Sequence, residues 1–147
     1  MGHLEQIWVK RFRGGPMDPR AVAHLDAGQG LRDNANRGGK RQVTILEREA
    51  WERHMAVTGG SLDPAIRRAN LLVSGCDLRG ARGQVLRVGT CRIRIHGETR
   101  PCERMDEALP GLRKVMEDAW GGGAFGEVLD GGTIQVGDAV ILEPGNG

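Results

Sequence analysis

The chain has 147 residues, 39% of them hydrophobic and 27% charged. These are ordinary values for a globular protein; they exclude disorder and allow one sizeable hydrophobic core. With 21 Lys and Arg against 19 Asp and Glu, the net charge of +2 is too small for a general nucleic-acid footprint. Cys76, Cys91 and Cys102 lack C-x-x-C spacing, which excludes a disulfide framework and a zinc site. No apolar run approaches the ~20 residues that span a bilayer. The opening Met1-Gly2-His3-Leu4-Glu5-Gln6 lacks the basic-then-apolar order of a secretory signal. The expected location is therefore the cytoplasm, with reduced thiols. The 24 glycines imply many tight turns or close backbone approaches. The basic set is 18 Arg to 3 Lys, which reflects either genome composition or an anion site suited to guanidinium forks.

In chain order, residues 4–9 read as an opening strand, followed by a basic, glycine-rich turn over residues 11–16. Residues 27–40 form a long polar loop, a class of segment that is often functional. Residues 42–46 are a short β-branched run leading into a helix whose shared face is Leu46, Ala50, Trp51, His54 and Met55. Thr58-Gly59-Gly60-Ser61 ends it. Residues 70–74 and 85–88 are compact strands. The clearest alternation follows, with Cys91, Ile93 and Ile95 on one face and Arg92, Arg94 and His96 on the other. Cys91 is thereby expected to be a buried structural thiol. Residues 109–120 are the strongest predicted helix, with Pro110 in its first turn and Leu112, Val115, Met116, Ala119 and Trp120 as its apolar stripe. Short strands over residues 127–129, 133–135 and 139–142 close the chain, separated by Asp130-Gly131-Gly132 and Gly137-Asp138 turns. The pattern predicts a β-rich α+β fold in one domain over residues 1–147, with its core at about 4–142. The expected architecture is a small closed or nearly closed barrel of antiparallel or mixed strands with a few flanking helices.

The candidate chemistry centres on Cys102. Arg92, Arg94, His96, Glu98, Arg100 and Cys102 share one parity, so a continuing strand would present them on one face. Arg100 and Arg104 flank the thiol and favour its thiolate, with Glu103 partly offsetting them. Against this stands the ordinary role of a lone cysteine as a small core hydrophobe.

Four ordered stretches resemble the MOSC domain family, named after the C-terminal part of molybdenum cofactor sulfurases. They are Gly28-Gln29-Gly30-Leu31 through Arg41-Gln42-Val43-Thr44; Arg68-Ala69-Asn70-Leu71-Leu72-Val73-Ser74-Gly75; Thr99-Arg100-Pro101-Cys102; and the stretch from Gly131 to Val140. The resemblance implies a MOSC-like barrel and a functional cysteine at Cys102, which either ligates molybdenum of the pterin cofactor (molybdopterin) or carries sulfur as a persulfide. It also implies that Arg67, Arg68 and Asn70 hold the cofactor's phosphate, unless Asn70 anchors a turn by side-chain hydrogen bonding. Arg100 or Arg68 would steady charge near the metal. Many relatives carry an Asp and a His in the first loop, where this chain has Asn34 and Asn36. Asp33 and Asn34 remain site candidates there.

Three functions follow as expectations. The first is molybdenum cofactor binding, with reduction of N-oxygenated substrates as the associated activity. The second is sulfur relay through a Cys102 persulfide. The third is a non-catalytic basic small-barrel module contacting RNA or an acidic protein through Arg92, Arg94 and Arg100. The first two require a separate partner, a cysteine desulfurase or an electron-transfer protein. No nucleic acid and no membrane are expected as partners.

Overall fold

A computed structural model describes residues 2–144. Eleven strands form: β1 Gly2–Lys10, β2 Met17–Arg20, β3 Val22–Asp26, β4 Gly30–Leu31, β5 Val43–Glu47, β6 Leu71–Ser74, β7 Val85–Val88, β8 Cys91–Glu98, β9 Ala124–Asp130, β10 Gly132–Gln135 and β11 Ala139–Glu143. The helices are α1 Arg48–Thr58, α2 Glu103–Ala108 and α3 Leu112–Met116, with a 3₁₀ turn at Pro64–Arg67. The main sheet runs β11-β7-β8-β9-β5-β6-β1-β2, and β11 also pairs with β1. That pairing closes a seven-strand mixed barrel, because β2 hangs on β1 outside the ring and β5–β6 is its parallel pair. A smaller sheet, β10-β3-β4, covers part of it.

The barrel interior is filled by alternate residues. Cys91, Ile93 and Ile95 of β8 point inward and are fully buried, as their alternation requires. On β1 both Leu4 and Ile7 face the interior, which strict alternation forbids; a register shift between Leu4 and Gln6 accounts for it. Trp8, Leu46 and Leu72 point outward and pack with Trp51, Met55, Met105, Leu112 and Met116. This second core glues the helices to the β1–β6–β5 wall.

The predicted helix over residues 109–120 is not continuous. Leu109 precedes a proline and is held extended (φ −157, ψ 113), and Gly111 is left-handed, so α3 starts only at Leu112. Ala119 and Trp120 have positive φ and lie beyond the helix, whereas Leu112 and Met116 do reach the outer core. The polar loop over residues 27–40 contains the two-residue β4, and it is pinned by Asp26, which accepts hydrogen bonds from Arg32 at 2.8 Å and Arg37 at 2.7 Å. No helix among the described residues is long and apolar enough to cross a membrane.

Candidate functional site

The topology gathers a site at one barrel end. Since β5 is parallel to β6 and β1 is antiparallel to β6, the end of β1 meets the starts of β5 and β6. A cavity of about 310 Å³ opens there. Its cations are Lys10, at the end of β1, Arg41, just before β5, and Arg68, which caps the 3₁₀ turn. Its neutral polar groups are Asn34, Asn36, Gln42, Thr44 and Asn70. No carboxylate lines it among the described residues.

Asn70 is the buried knot of this cavity. Its Oδ1 accepts from Thr44 N at 3.1 Å and Thr44 Oγ1 at 3.2 Å. Its Nδ2 donates to Trp8 O at 3.1 Å and to Asn34 Oδ1 at 3.2 Å. Asn34 Oδ1 also accepts from Lys10 N at 2.8 Å, and Asn34 Nδ2 donates to Asn36 O at 3.0 Å. One amide thus ties β1, β5 and the first loop together. The Asn70 carboxamide is filled by protein partners, and Asn34 uses all but one N–H of its Nδ2 among the described residues. Of the two roles open to Asn70, the hydrogen bonds match the anchor.

The charged groups are the free ones. Lys10 Nζ donates to Asn36 Oδ1 at 2.8 Å and meets no carboxylate among the described residues. Burial, then Arg68, Arg41, Arg104 and Arg13, push its pKa below the ordinary lysine value. That pattern is a positive potential with no internal counter-charge, and an anion entering the cavity would relieve it. The Arg68 side chain donates to Gly15 O at 2.7 Å, from a left-handed backbone conformation at φ 65. Arg41 lies 5.8 Å from the Phe125 ring centroid, exposed at the cavity's edge. Three cations beside neutral donors make a suitable cradle for phosphate oxygens.

Cys102 stands next to this cavity, not in its lining. It is half-buried and caps the start of α2 without a side-chain cap bond. Arg67 links the two places. Its Nε donates to Gly122 O at 3.0 Å, and its Nη2 donates to Thr99 O at 3.1 Å and Arg100 O at 3.3 Å. Burial and Arg41 lower the Arg67 pKa, while Cys102 raises it. The guanidinium therefore lies within electrostatic range of both Arg41, a cavity cation, and the Cys102 thiol. It also braces the turn that delivers Cys102. Thr99 Oγ1 donates to the same Gly122 O at 2.6 Å, and a Cβ on Gly122 would run into Thr99 O, so glycine is needed for this close approach.

Of the sequence candidates, the structure brings Arg68, Asn70 and Asn34 into one cavity, with Arg67 and Cys102 alongside. Asp33 is an exposed turn residue at φ 71, outside the lining. Arg100 is 78% exposed at its side chain and its nearest carboxylate is Glu98, at 3.5 Å. The single-parity row does not persist, because β8 ends at Glu98 and Cys102 begins a helix. Its polar members are instead partnered across the sheet: Arg92 with Asp130, Arg94 with Gly83 O at 2.9 Å, and His96 with Glu127 at 2.8 Å. Lys10, Arg41, Asn36, Gln42 and Thr44 were not singled out by sequence reasoning. Arg41, Gln42 and Thr44 fall inside one of the four motif stretches, a signal that could have found them; Lys10 becomes visible only once the fold sets the end of β1 against the first loop.

The fold has close counterparts among solved structures. The YuaD protein from Bacillus subtilis superimposes with a TM-score of 0.81 at 19% identity, covering 99% of this chain and 98% of that one. YiiM from Geobacillus stearothermophilus gives 0.74 at 18% identity over 97% of this chain and 75% of that one. YiiM from Escherichia coli gives 0.69 at 16% identity over 95% and 69%. No curated protein matches the chain. The MOSC domain family matches residues 10–141. With a barrel of the expected kind and a family match over nearly its whole length, the chain belongs to the MOSC domain family.

Proposed function

We propose that this protein binds molybdenum cofactor, with the cofactor's phosphate in the Lys10–Arg41–Arg68 cavity and Cys102 as the thiolate facing the metal. The observation that carries the reading is the cavity's unbalanced positive lining beside a half-buried thiol. The donor set fits the group: cations and neutral N–H donors suit phosphate oxygens, and a soft thiolate suits molybdenum. When bound, the cofactor would supply two-electron oxygen-atom transfer, the chemistry needed to reduce N-oxygenated compounds. The chain's own residues would bind and orient. Asn70 and Asn34 hold β1, β5 and the first loop at fixed spacing, and Arg67 fixes the 99–102 turn that presents the thiol. Electrons would come from a separate electron-transfer protein, and the setting would be the cytoplasm, where thiols stay reduced.

Pterin release tests the cavity half of the reading. Protein from a cofactor-competent host is expected to yield fluorescent oxidised pterin in near-stoichiometric amount, and Lys10→Glu with Arg41→Glu is expected to abolish it. Wild-type protein free of pterin would refute the assignment.

A second reading is favoured by the position of Cys102 outside the cavity lining, since sulfur carriage needs only an accessible thiolate. The Cys102 thiolate would attack the terminal sulfur of a cysteine desulfurase persulfide. The donor's sulfur–sulfur bond breaks, its thiolate leaves, and Cys102 holds the sulfane sulfur. Intact mass is expected to show one added sulfur that reductant removes and that Cys102→Ser never acquires. Failure to load from an active desulfurase would reject this reading.

A further inference from the structure

The same three strands end in a second cavity of opposite character. Where β5 and β6 finish, an open cavity of about 630 Å³ is lined by Glu47, Glu49, Cys76, Asp77 and Asp118, with Arg53 and Arg79 also present. Asp77 and Arg79 cancel one another, joined at 2.7 Å. Glu47, Glu49 and Asp118 then outnumber Arg53, which makes no hydrogen bond to them among the described residues.

Two of these carboxylates each hold an open acceptor. Glu47 is only 6% exposed; its Oε2 accepts from Leu78 N at 3.3 Å, and its Oε1 receives nothing from the described residues. Glu49 Oε2 accepts from Gly75 N at 2.9 Å, while its Oε1 is buried with no partner. Of the two, Glu49 Oε1 is the fully buried one, and leaving it unmatched is costly unless a donor arrives. Burial is the main cause that raises the Glu47 carboxyl's pKa, and a cation beside it would favour its ionised form. Among the described residues none is placed to do so: Arg79 is committed to Asp77, and Arg53 donates to neither glutamate. His54 is buried at the cavity floor with its pKa lowered by burial, and its Nε2–H is given to Gly121 O at 3.0 Å. The Cys76 thiol is pushed up to about 12 by burial and by Glu47, Glu49 and Asp77, so it stays neutral in a field of negative sign.

We propose that this cavity is a second binding site, for a compact organic cation carrying several N–H donors, of the amidinium or guanidinium class. Such a group offers a positive charge and separate N–H bonds to the open oxygens of Glu47 and Glu49. The two cavities stand at opposite ends of the β5–β6 pair, so the anion and cation sites are independent of each other.

Benzamidine titrated into the full chain, read by calorimetry and by amide shifts, tests this, with neutral benzamide as the control. Benzamidine is expected to bind at least ~10-fold more tightly than benzamide, shifting the amides of Gly75, Leu78 and Gly121. Glu49→Gln is expected to weaken it at least ~10-fold, and Arg53→Ala to tighten it. Because Arg53 is exposed, its variant is informative even if a glutamate variant fails to fold. Cys102→Ser and the Lys10 and Arg41 reversals are expected to leave benzamidine binding unchanged, which separates this site from the proposed cofactor site. Equal binding of benzamide, insensitivity to both Glu49→Gln and Arg53→Ala, or shifts centred on Lys10 and Arg68 would overturn the proposal.

Discussion

Replacing Asn70 by alanine separates an anchor from a ligand. The substitution removes both acceptor bonds from Thr44 and both donor bonds, to Trp8 O and Asn34 Oδ1. Asn34 Oδ1 keeps Lys10 N and Thr44 Oγ1 can rotate, so the groups left without partners are Thr44 N and Trp8 O. Asn70 itself is 5% exposed, and water reaches this point poorly. At about 1–3 kcal/mol for each of these two orphaned groups, the expected loss is about 2–6 kcal/mol. For a chain of 147 residues this lowers the melting temperature by roughly 5–20 °C. Urea unfolding with an unchanged m-value is the assay. A loss below about 1 kcal/mol would refute the anchoring role, because a residue that only contacts a ligand leaves the ligand-free fold unaffected.

Further outcomes follow from the same contacts. Asp26 is held down to about 2 by hydrogen bonds from Arg32 and Arg37, so its folded pKa lies below the unfolded value of 3.8. Its stabilisation is present above that unfolded value and is lost as pH falls from about 4 towards about 2. Asp26→Asn is expected to remove this part of the acid transition and to loosen the first loop, measured by hydrogen exchange at Asn34 and Asn36. Arg67→Met is expected to cost about 2–4 kcal/mol through three lost carbonyl contacts and to speed alkylation of Cys102, scored by mass spectrometry. Unchanged alkylation would show that Arg67 does not brace the turn. Cys91→Ala is expected to cost about 1–2 kcal/mol as a core truncation and to leave cofactor content intact.

Legibility in the sequence followed the range of the interactions. Residues 85–88 were readable as a compact apolar run between glycines, and the inward face of β8 by its alternation, both local properties. The 109–120 helix failed locally as well, since its apolar spacing was real but Pro110 forced Leu109 out of helical geometry. Strand β2 contains Asp18 and Pro19 and pairs on one side only, an edge whose pattern carries little signal. Arg68, Asn70 and Cys102 stood out through motif spacing. Lys10 did not, because it meets Asn34 through a hydrogen bond between residues 24 positions apart and feels Arg68 only through the folded chain. Parity placed Arg92, Arg94 and His96 on one outward face as observed, but it ran past the end of β8 at Glu98 and could not show that Asp130 and Glu127 of β9 partner that face.

The most direct test of the central claim is the molybdenum-to-protein ratio by elemental analysis, in wild type and Cys102→Ser purified side by side from a cofactor-competent host. The account predicts a ratio near one in wild type and a large loss of metal in Cys102→Ser with the fold intact. Wild type without molybdenum, or a Cys102→Ser variant that retains it in full, would contradict the account.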